Sequence, residues 1–526
     1  MMKNRLFLLL MLLAIAAQAM GAESPRLVVN IVVSQARMVD LEHYAEGLKA
    51  GGFERLLSGR SYPYAYYPSA TTTPSALATL TTGASPAMSG VVGECWWNNN
   101  NGLRELVVGD DRYCSFDADH PDSRVANTNL SLETLGDVVV REVEGAKSVA
   151  VAADASSAII LGGLTPSEVW WIDSLAGRWT TSTKYKTTLP KWVAKYNASG
   201  YWRTKIGDKW VLSRPEEGYK NSEVHIAKPY GYKPPREEKR SRPKPADVVE
   251  MLYSPLSNDM VAQFAKEAII YNRLGHDKAV DVLSVCFDSP RRMIARYGLS
   301  SREVEDMYYR LDESIADLMA FASAQADGKV LFVLSTDGGV REVADGEKVF
   351  NTTQARFLIN SFLSANYGKG DWVLGYQNGG LWLNHTLAFS KGLDIATLQR
   401  QVGTFALGLR GVSHAITASE MMGGGAKEGA VALVQEGFYP KRSADVSLVL
   451  MPDWCEVEGE GVMPKVTSSL IYAPYRRAVL ALSGMGVERS RIEEKVDVRS
   501  LVVTLAEMIG VEVPLGAEAK PLRIEN

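Results

Sequence analysis

Cysteine and histidine are scarce in this chain. Its 526 residues include 4 cysteines and 6 histidines. The cysteines are too few for a disulfide framework and their spacing matches no zinc knuckle; they are Cys95, Cys114, Cys286 and Cys455. Only a short loop separates Cys95 from Cys114, so these two could pair, and four buried free thiols are the alternative. The cysteines therefore indicate no metal module of their own.

An excess of positive charge is also absent. The formal net charge is -4 and the isoelectric point is about 6.0. No global basic field points to nucleic acid, so we expect no nucleic-acid partner. With 46% hydrophobic and 22% charged residues, the composition is that of a globular protein with material for a large core.

A long apolar run stands at the N-terminus. Lys3 and Arg5 precede an apolar stretch from Leu6 to Ala17, and small residues follow. This pattern predicts a secretory signal peptide over residues 1–22, cleaved near Ala19 or Ala22, because the run is too short to span a membrane. A buried N-terminal helix is the alternative. We expect an exported protein, periplasmic or secreted, with no transmembrane segment after cleavage and a mature domain over residues 23–526.

Three apolar segments predict buried strands of a parallel sheet. They are "RLVVNIVVSQAR" from Arg26, "VDVLSVCFDSPRR" from Val280 and "KVLFVLSTDGG" from Lys329, and each ends in polar residues. Helical spacing of apolar residues follows or precedes them at 258–274, 301–324 and 498–508. This alternation predicts an α/β fold with a mostly parallel, doubly wound sheet flanked by helices, whose ligand sites gather at the carboxyl ends of the strands.

Two segments interrupt the alternation. Residues at about 165–250 are rich in Trp, Tyr, Lys and Pro and include "KPYGYKPPREEKRSRPKP", which a core helix would not tolerate. We interpret this segment as a surface insertion or cap. A second insertion is predicted at about 361–454, where short strand-like pieces occur.

The stretch "YPSATTTPSALATLTTGASPAMSGVVGECWWN", residues 67–98, has an unusual cluster of hydroxyls. Thr71, Thr72 and Thr73 precede Pro74, which favours the first turn of a helix. A nucleophile or an anion could sit at such a helix start. The alternative is a helix N-cap cluster with no chemistry.

Together these stretches resemble the alkaline phosphatase superfamily. The resemblance covers nearly the whole mature chain and is carried by "LVVNIVVSQAR", the threonine stretch, "WWIDSLAGRWTTSTKY", "VEDMYYRLDESIADL", "LFVLSTDGG", "RSADVSLVLMPDW" and "LSGMGV". The chain is similar to secreted bacterial monomeric enzymes, related to type I phosphodiesterases and nucleotide pyrophosphatases, that use a Thr nucleophile and two zinc ions. The resemblance implies an alkaline-phosphatase-like fold with a cap region.

The resemblance places the nucleophile among the threonines. Counting back from Thr82-Gly83 selects Thr73, whereas counting from Pro74 selects Thr72. Glu94 stands where the family has an Asn that helps hold the phosphate. The Lys and Arg that bind phosphate in the family fall near Asp154 and Ser156.

Most zinc-ligand positions of the family are substituted here. Of six protein ligands apart from the nucleophile, only Asp337 is retained. The other five positions hold residues that do not bind zinc well: Ser34, Arg291, Ala295, Gly338 and Arg477. None of the histidines falls on a ligand position; they are His43, His120, His225, His276, His385 and His414.

These replacements suggest a catalytically inactive pseudophosphatase with no cofactor and a scaffold or binding role in the cell envelope, with an envelope protein as partner. In it, Arg291 and Arg477 would neutralise Asp337 and Glu94. One alternative is an active, zinc-dependent phosphomonoesterase or phosphodiesterase with a rearranged site; its candidate ligands are Asp337, Asp288, Asp40 and Glu94. The other is a non-hydrolytic binder of phosphate or sulfate groups through Arg291 and Arg477. The sequence indicates no particular partner or oligomeric state.

Partner-binding aromatics are a further expectation of the scaffold hypothesis. The candidates lie in and near the first insertion: Trp96, Trp97, Trp170, Trp171, Trp192 and Trp202. Their alternative role is packing, because Trp is usually largely buried.

Overall fold

The computed structural model describes residues 24–116, 120, 123–200, 210–221, 245–459, 461–467 and 471–522. The predicted signal peptide, residues 1–22, lies outside the described residues, as do Trp202 and the basic, proline-rich residues 228–244. In the part of the chain that is described, no helix has the length and apolar character needed to cross a membrane.

A mixed ten-stranded sheet forms the centre of the molecule. The strands of the chain are β1 (Leu27–Val33), β2 (Arg60–Tyr66), β3 (Cys95–Trp97), β4 (Arg104–Leu106), β5 (Ser148–Ala152), β6 (Glu168–Ile172), β7 (Trp179–Thr180), β8 (Asp281–Phe287), β9 (Val330–Ser335), β10 (Arg341–Glu342), β11 (Lys348–Asn351), β12 (Val373–Gln377), β13 (Gly380–Leu383), β14 (Val412–Thr417), β15 (Val446–Leu450), β16 (Trp454–Val457), β17 (Val466–Thr467), β18 (Arg477–Gly484), β19 (Ser490–Arg491) and β20 (Val496–Asp497). The central sheet has the order β19-β2-β18-β9-β1-β8-β5-β6-β7, and β20 also pairs with β2. Strands β9, β1, β8, β5 and β6 are parallel, whereas β18 and β7 run antiparallel to their neighbours.

The inner strands are continuous apolar runs because helices cover both faces of the sheet. All seven residues of β1 are buried, and the side chains of β1 alternate between two apolar clusters, one on each face. Its Asn30 lies beside Ser284 of β8 and Val333 of β9. The three strands predicted from sequence are therefore confirmed, and they are neighbours.

The helices are α1 (Met38–His43), α2 (Gly52–Leu57), α3 (Thr73–Thr82), α4 (Pro86–Ser89), α5 (Leu135–Glu142), α6 (Ala155–Gly162), α7 (Lys191–Ser199), α8 (Pro245–Leu252), α9 (Pro255–Asn272), α10 (Ser289–Tyr297), α11 (Arg302–Gln325), α12 (Thr352–Tyr367), α13 (His385–Ser390), α14 (Ile395–Leu407), α15 (Ala418–Met422), α16 (Gly429–Gln435), α17 (Ala473–Arg476) and α18 (Ser500–Ile509), with a short 3₁₀ helix at Glu216–Gly218. The predicted helices correspond to α9, α11 and α18. Helix α11 begins where the sequence indicated, since the Ser301 hydroxyl accepts a hydrogen bond from the Val304 N–H.

Two regions expected to be insertions have different structures. Strands β6 and β7 belong to the central sheet, so a first insertion beginning at about residue 165 starts too early. Within the second segment, β12, β13, β15 and β14 form a separate antiparallel sheet with its own apolar core, which we call the small sheet. The remaining bounds of both insertions stay predictions.

The structure tests the expectations for the tryptophans and for the cysteines. Trp96, Trp170 and Trp171 are core residues, which is the packing alternative rather than a partner surface. The Cys95–Cys114 pairing is wrong, because all four cysteines are free thiols. The alternative of four buried thiols holds for three of them, since Cys114 is exposed.

The carboxyl ends of the parallel strands carry the polar residues that the sequence singled out. Gln35 follows β1 by two residues, Asp154 follows β5 by two, Asp288 follows β8 directly and Asp337 follows β9 by two. Parallel strands end at one edge of a sheet, so these side chains lie at the same edge. The N-terminus of α3, with Thr73 as its first residue, reaches that edge.

Candidate functional site

A polar cavity of about 200 Å³ lies at this edge. Its walls are Gln35, Thr71, Thr72, Thr73, Glu94, Arg291, Asp337, Gly339, Gln377 and Asn378. The structure thus brings together the candidates Thr72, Thr73, Glu94, Arg291 and Asp337. It does not place the candidate positions Ser34, Ala295, Gly338 and Arg477 in the cavity wall.

The two candidate threonines have different positions on α3. Thr72 is the N-cap residue, with extended backbone, and its N–H donates to the Ser75 hydroxyl over 2.9 Å. Thr73 is the first helical residue, and its hydroxyl donates to Oδ2 of Asp337 over 2.6 Å. The Thr73 hydroxyl is therefore the one held against the retained carboxylate, as the count from Gly83 indicated.

Asp337 is held from a second side by the backbone. Its Oδ1 accepts the Gln35 N–H over 2.6 Å. Gln35 has a φ of +58°, an uncommon conformation for a residue with a side chain. This left-handed turn after β1 helps direct the N–H towards Asp337, which is buried. Asp337 is thus fixed in position by Thr73 and Gln35.

Arg291 is bound to Asp154, which is not one of the zinc-ligand positions that the resemblance implies. Its Nη2 lies 2.9 Å from Oδ2 of Asp154, and Nη2 of Arg292 lies 2.9 Å from the same oxygen. Asp288 Oδ1 lies 3.6 Å from Arg291. Asp154 is also the N-cap of α6, where it accepts the N–H and hydroxyl of Ser156. Arg291, Arg292, Asp154 and Asp288 therefore form one ionic cluster.

The charges of the cluster shift one another's titration. Burial opposes the charge of Arg291, but Asp154, Asp288, Glu94 and Asp337 together raise the pKa of its guanidinium. Burial likewise opposes ionisation of Asp154, yet the two arginines hold the pKa of that carboxyl well below its usual range. The pKa of Asp288 is raised, chiefly by burial. Arg291 and Asp154 are therefore a permanently charged pair.

Arg477 lies elsewhere, which corrects two expectations. Its Nε donates to the Pro63 carbonyl over 2.8 Å, and its guanidinium stacks 4.3 Å from the centre of the Tyr64 ring. The expected ion pairs of Arg291 and Arg477 with Asp337 and Glu94 are not formed, because Arg291 is paired with Asp154. A phosphate or sulfate pocket made by the two arginines is not formed either.

At the three other substituted positions, the side chain either lies outside the cavity wall or has no space to be larger. The Ser34 hydroxyl lies 3.8 Å from the Cys286 sulfur, and Ala295 is exposed on α10. Gly338 has a φ of +114°, and a Cβ at this position would lie 2.7 Å from Oγ1 of Thr71. A histidine cannot replace Gly338 here without movement of the backbone or of Thr71.

The side chains present do not fit the two-zinc site that the resemblance implies. The carboxylates of the cavity wall are Glu94 and Asp337, and its other side-chain oxygens belong to threonine hydroxyls and to the amides of Gln and Asn residues. The wall has no histidine or cysteine, the nitrogen and sulfur ligands that zinc prefers. Across the described ranges, no group of three or more His, Cys, Asp and Glu could hold a metal ion. Arg291 also brings a positive charge into the cavity.

The four carboxylates proposed as ligands of a rearranged metal site do not lie in one cavity. Asp288 accepts the Ser157 hydroxyl and the Asp154 N–H, and Asp40 is paired with Arg37 over 2.5 Å. Neither lines the cavity that contains Asp337 and Glu94.

A β-hairpin of the small sheet also forms part of the cavity. Strands β12 and β13 are joined by Asn378 and Gly379, with φ values of +47° and +78°, as expected for a two-residue type I′ turn. Gln377 and Asn378 reach the cavity wall. Sequence reasoning missed these residues, although the Asn-Gly pair between apolar segments is a hairpin signal; it also missed the pairing of Asp154 with Arg292.

Comparison with known proteins agrees with this architecture. Residues 28–369 match the family model described as type I phosphodiesterase / nucleotide pyrophosphatase. The chain is 24% identical over 525 residues to alkaline phosphatase PafA of Elizabethkingia meningoseptica, covering 95% of this chain and 94% of the relative. It is 25% identical to alkaline phosphatase PhoV of Synechococcus elongatus, covering 94% and 92%. A protein of Myroides odoratus named as a calcium-transporting ATPase is 25% identical, covering 95% and 94%.

The crystal structure of PafA superposes on this chain with a TM-score of 0.85 and 22% identity, covering 95% of this chain and 98% of PafA. This likeness shows that the fold is that of an alkaline phosphatase, as the sequence resemblance implied.

Proposed function

The chain belongs to the type I phosphodiesterase / nucleotide pyrophosphatase family. We propose that it binds a ligand at the polar cavity beside Thr73 and does not hydrolyse phosphate esters. The observation that carries the proposal is that Arg291, a wall residue of the cavity that holds Thr73, is paired with Asp154. A positively charged side chain that is paired with a carboxylate occupies the position for which the resemblance implies a zinc ligand.

The chemistry of the remaining groups supports this proposal. A Thr hydroxyl attacks phosphorus only when a metal or a base activates it. Thr73 donates to Asp337, whose carboxylate is a far weaker base than a threonine alkoxide, so this contact orients the hydroxyl and does not by itself make it a strong nucleophile. Glu94 and Asp337 also carry negative charge at the cavity, where they would repel an incoming phosphate dianion.

The cellular setting follows from sequence alone. We infer export to the periplasm or beyond from residues 1–22, and a scaffold or binding role in the envelope with a protein partner. These inferences are separate from the loss of hydrolysis.

Hydrolysis assays test the proposal directly. The purified mature chain is incubated with p-nitrophenyl phosphate and with bis-p-nitrophenyl phosphate, with and without added zinc. We expect no turnover above buffer, and the same baseline for the Thr72→Ala/Thr73→Ala double variant. The matched control is Thr404→Ala, an exposed threonine on α14. Zinc-stimulated turnover that the double variant loses and the control keeps would overturn the proposal.

Metal analysis of the purified protein is an independent measurement. Because the cavity offers two carboxylates and no histidine, we expect zinc well below one ion per chain after passage over a chelating resin and reloading. A content of about two zinc ions per chain, as in a two-metal hydrolase, would contradict the proposal.

A further inference from the structure

A second cavity opens beside the polar one. It has a volume of about 350 Å³ and shares Thr71, Thr72, Gln377 and Asn378 with the polar cavity. The volume is within the range of small-molecule sites, about 300–1,000 Å³. These four residues, which include Asn378 of the hairpin turn, line both cavities, so the two spaces are adjacent.

The walls of the larger cavity are mostly apolar. Trp382, Phe438 and Trp454 contribute buried aromatic rings, and Leu448 of β15 contributes a buried aliphatic chain. A polar wall atom is satisfied within the protein, since the Tyr472 hydroxyl donates to the Leu450 carbonyl over 2.6 Å. A hydrocarbon or aromatic body is the group that this lining would favour.

The larger cavity has no basic side chain among the described residues of its wall. Its charged wall residue is Glu456; burial raises the pKa of this carboxyl, which accepts a hydrogen bond from the Tyr376 hydroxyl. An anionic ligand would find no cation in this lining to replace its hydration.

The side chains around the polar cavity also carry more negative than positive formal charge. Around it stand the carboxylates Glu94, Asp337, Asp154 and Asp288 and the cations Arg291 and Arg292. By formal charge, four carboxylates stand beside two guanidinium groups. Each guanidinium contacts Asp154 through Nη2, which offsets its charge, whereas Nε of Arg291 and Nη1 of Arg292 are buried without a hydrogen-bond partner.

Glu94 is the acceptor that is still available. It is exposed at the wall of the polar cavity, and no hydrogen bond or ion pair to its carboxylate occurs among the described residues. A ligand that occupies the larger cavity and extends past the shared wall residues Thr72 and Gln377 would bring a donor towards it.

We propose that the two adjacent cavities together bind a small amphiphilic amine, with its apolar body in the larger cavity and its ammonium group in the polar cavity beside Glu94 and Asp337. The ammonium donates hydrogen bonds to carboxylates, and aromatic and aliphatic walls enclose the body. The proposal rests on the ligand-binding role given above, but its test measures binding. Ester hydrolysis with intact amine binding would overturn the proposed function alone, whereas loss of amine binding without hydrolysis would overturn this inference alone.

Calorimetric titration with three probes of equal chain length tests the charge requirement. The probes are n-hexylamine, n-hexanol and n-hexanoate, with inorganic phosphate as a fourth ligand. We expect hexylamine to bind at least about tenfold more tightly than hexanol, because a charged hydrogen bond is added, and hexanoate and phosphate to give no heat at millimolar concentration. Equal binding of hexanol and hexylamine, preference for hexanoate or phosphate, or no heat from any probe would overturn the proposal.

Two variants locate the ligand. Glu94→Gln is expected to weaken hexylamine about fivefold to tenfold and to leave hexanol unchanged, whereas the control Glu313→Gln, exposed on α11, leaves both unchanged. Val434→Trp, at the wall of the larger cavity, is expected to weaken both probes by filling space. An unchanged hexylamine affinity in both Glu94→Gln and Val434→Trp would place the amine elsewhere and overturn the assignment.

Discussion

The carboxylate of Asp154 is shared by two guanidinium groups, with Nη2 of Arg291 and Nη2 of Arg292 each 2.9 Å from Oδ2. The two arginines are neighbours on α10, and Asp154 is the N-cap of α6, so the contact ties together two helices that follow adjacent strands. The cluster therefore joins the two helices at the edge of the sheet where the polar cavity lies.

Replacing Asp154 should therefore destabilise the fold. Asp154→Asn leaves two partly buried arginines facing a neutral amide, and we expect the free energy of unfolding to fall by about 2–4 kcal/mol. Urea unfolding followed by circular dichroism measures the change. The control is Asp453→Asn, in the exposed Lys348 pair, where we expect little effect. Equal stability of the two variants would show that the cluster adds no stability.

Thr73 should matter for structure rather than for turnover. Thr73→Val removes the donor to Asp337 and leaves that buried carboxylate with the Gln35 N–H, so we expect a loss of about 1–3 kcal/mol in unfolding free energy. Thr73→Ser keeps a hydroxyl and should lose less. Denaturant unfolding of the two variants compares them. A Val variant as stable as the Ser variant would mean that the hydrogen bond contributes nothing.

Placing a histidine at Gly338, where the resemblance implies a zinc ligand, should destabilise the protein without creating a zinc site. The backbone there has a φ of +114°, and the Thr71 hydroxyl lies 2.7 Å from the position that a Cβ would take. Gly338→His therefore combines backbone strain with a clash, and we expect a loss of about 2–4 kcal/mol and no gain of zinc. Gly346→His is the matched control, because φ is +79° there and nothing lies within 4 Å of a Cβ. Differential scanning fluorimetry with and without zinc compares them, and a Gly338→His protein stabilised by zinc would contradict the prediction.

Asp281 should make stability fall as the pH rises through mild acidity. Burial raises the pKa of Asp281 to about 6, although the N–H groups of Lys147 and Gly275 donate to it over 2.7 and 2.8 Å. The folded chain thus holds this proton more tightly than the unfolded chain, whose Asp pKa is about 3.9. Its stabilising contribution is complete below that value and is lost as the pH passes about 6.

The variant Asp281→Asn removes this titration. Between about pH 4 and pH 7 we expect the wild-type chain to lose about 2–3 kcal/mol of unfolding free energy relative to the variant. Urea unfolding across this pH range gives the difference. A constant difference between the two proteins would show that the Asp281 pKa is not raised.

The sequence was sufficient for the central strands and for part of the cavity wall. The buried, mostly apolar β1 and the Ser301 cap of α11 follow from local patterns, and the structure has both. The contact of Thr73 with Asp337 also agrees with the sequence patterns, because Thr73 precedes Pro74 at a predicted helix start and Asp337 follows a predicted strand.

The side-chain directions could not be obtained in the same way. Arg477 lies at the first position of β18, and whether it turns towards the cavity or towards Tyr64 depends on strand pairing with β2, which shows a register shift just after it. The partner of Arg291 depends on contact between α10 and the loop after β5, which are more than a hundred residues apart in sequence. The beginning of the first insertion was misplaced because β6 resembles its aromatic surroundings in composition.

The hairpin turn at Asn378 and Gly379 couples two parts of the molecule that have separate cores. The small sheet supplies Gln377 to the walls of both cavities, and the edge of the central sheet supplies Asp337 to the wall of the polar cavity. A ligand that occupies both cavities would contact both parts, so by thermodynamic linkage its binding would stabilise the packing of one against the other. Amide hydrogen exchange in β12 and β13 should then slow on ligand addition, while exchange in β1 stays constant.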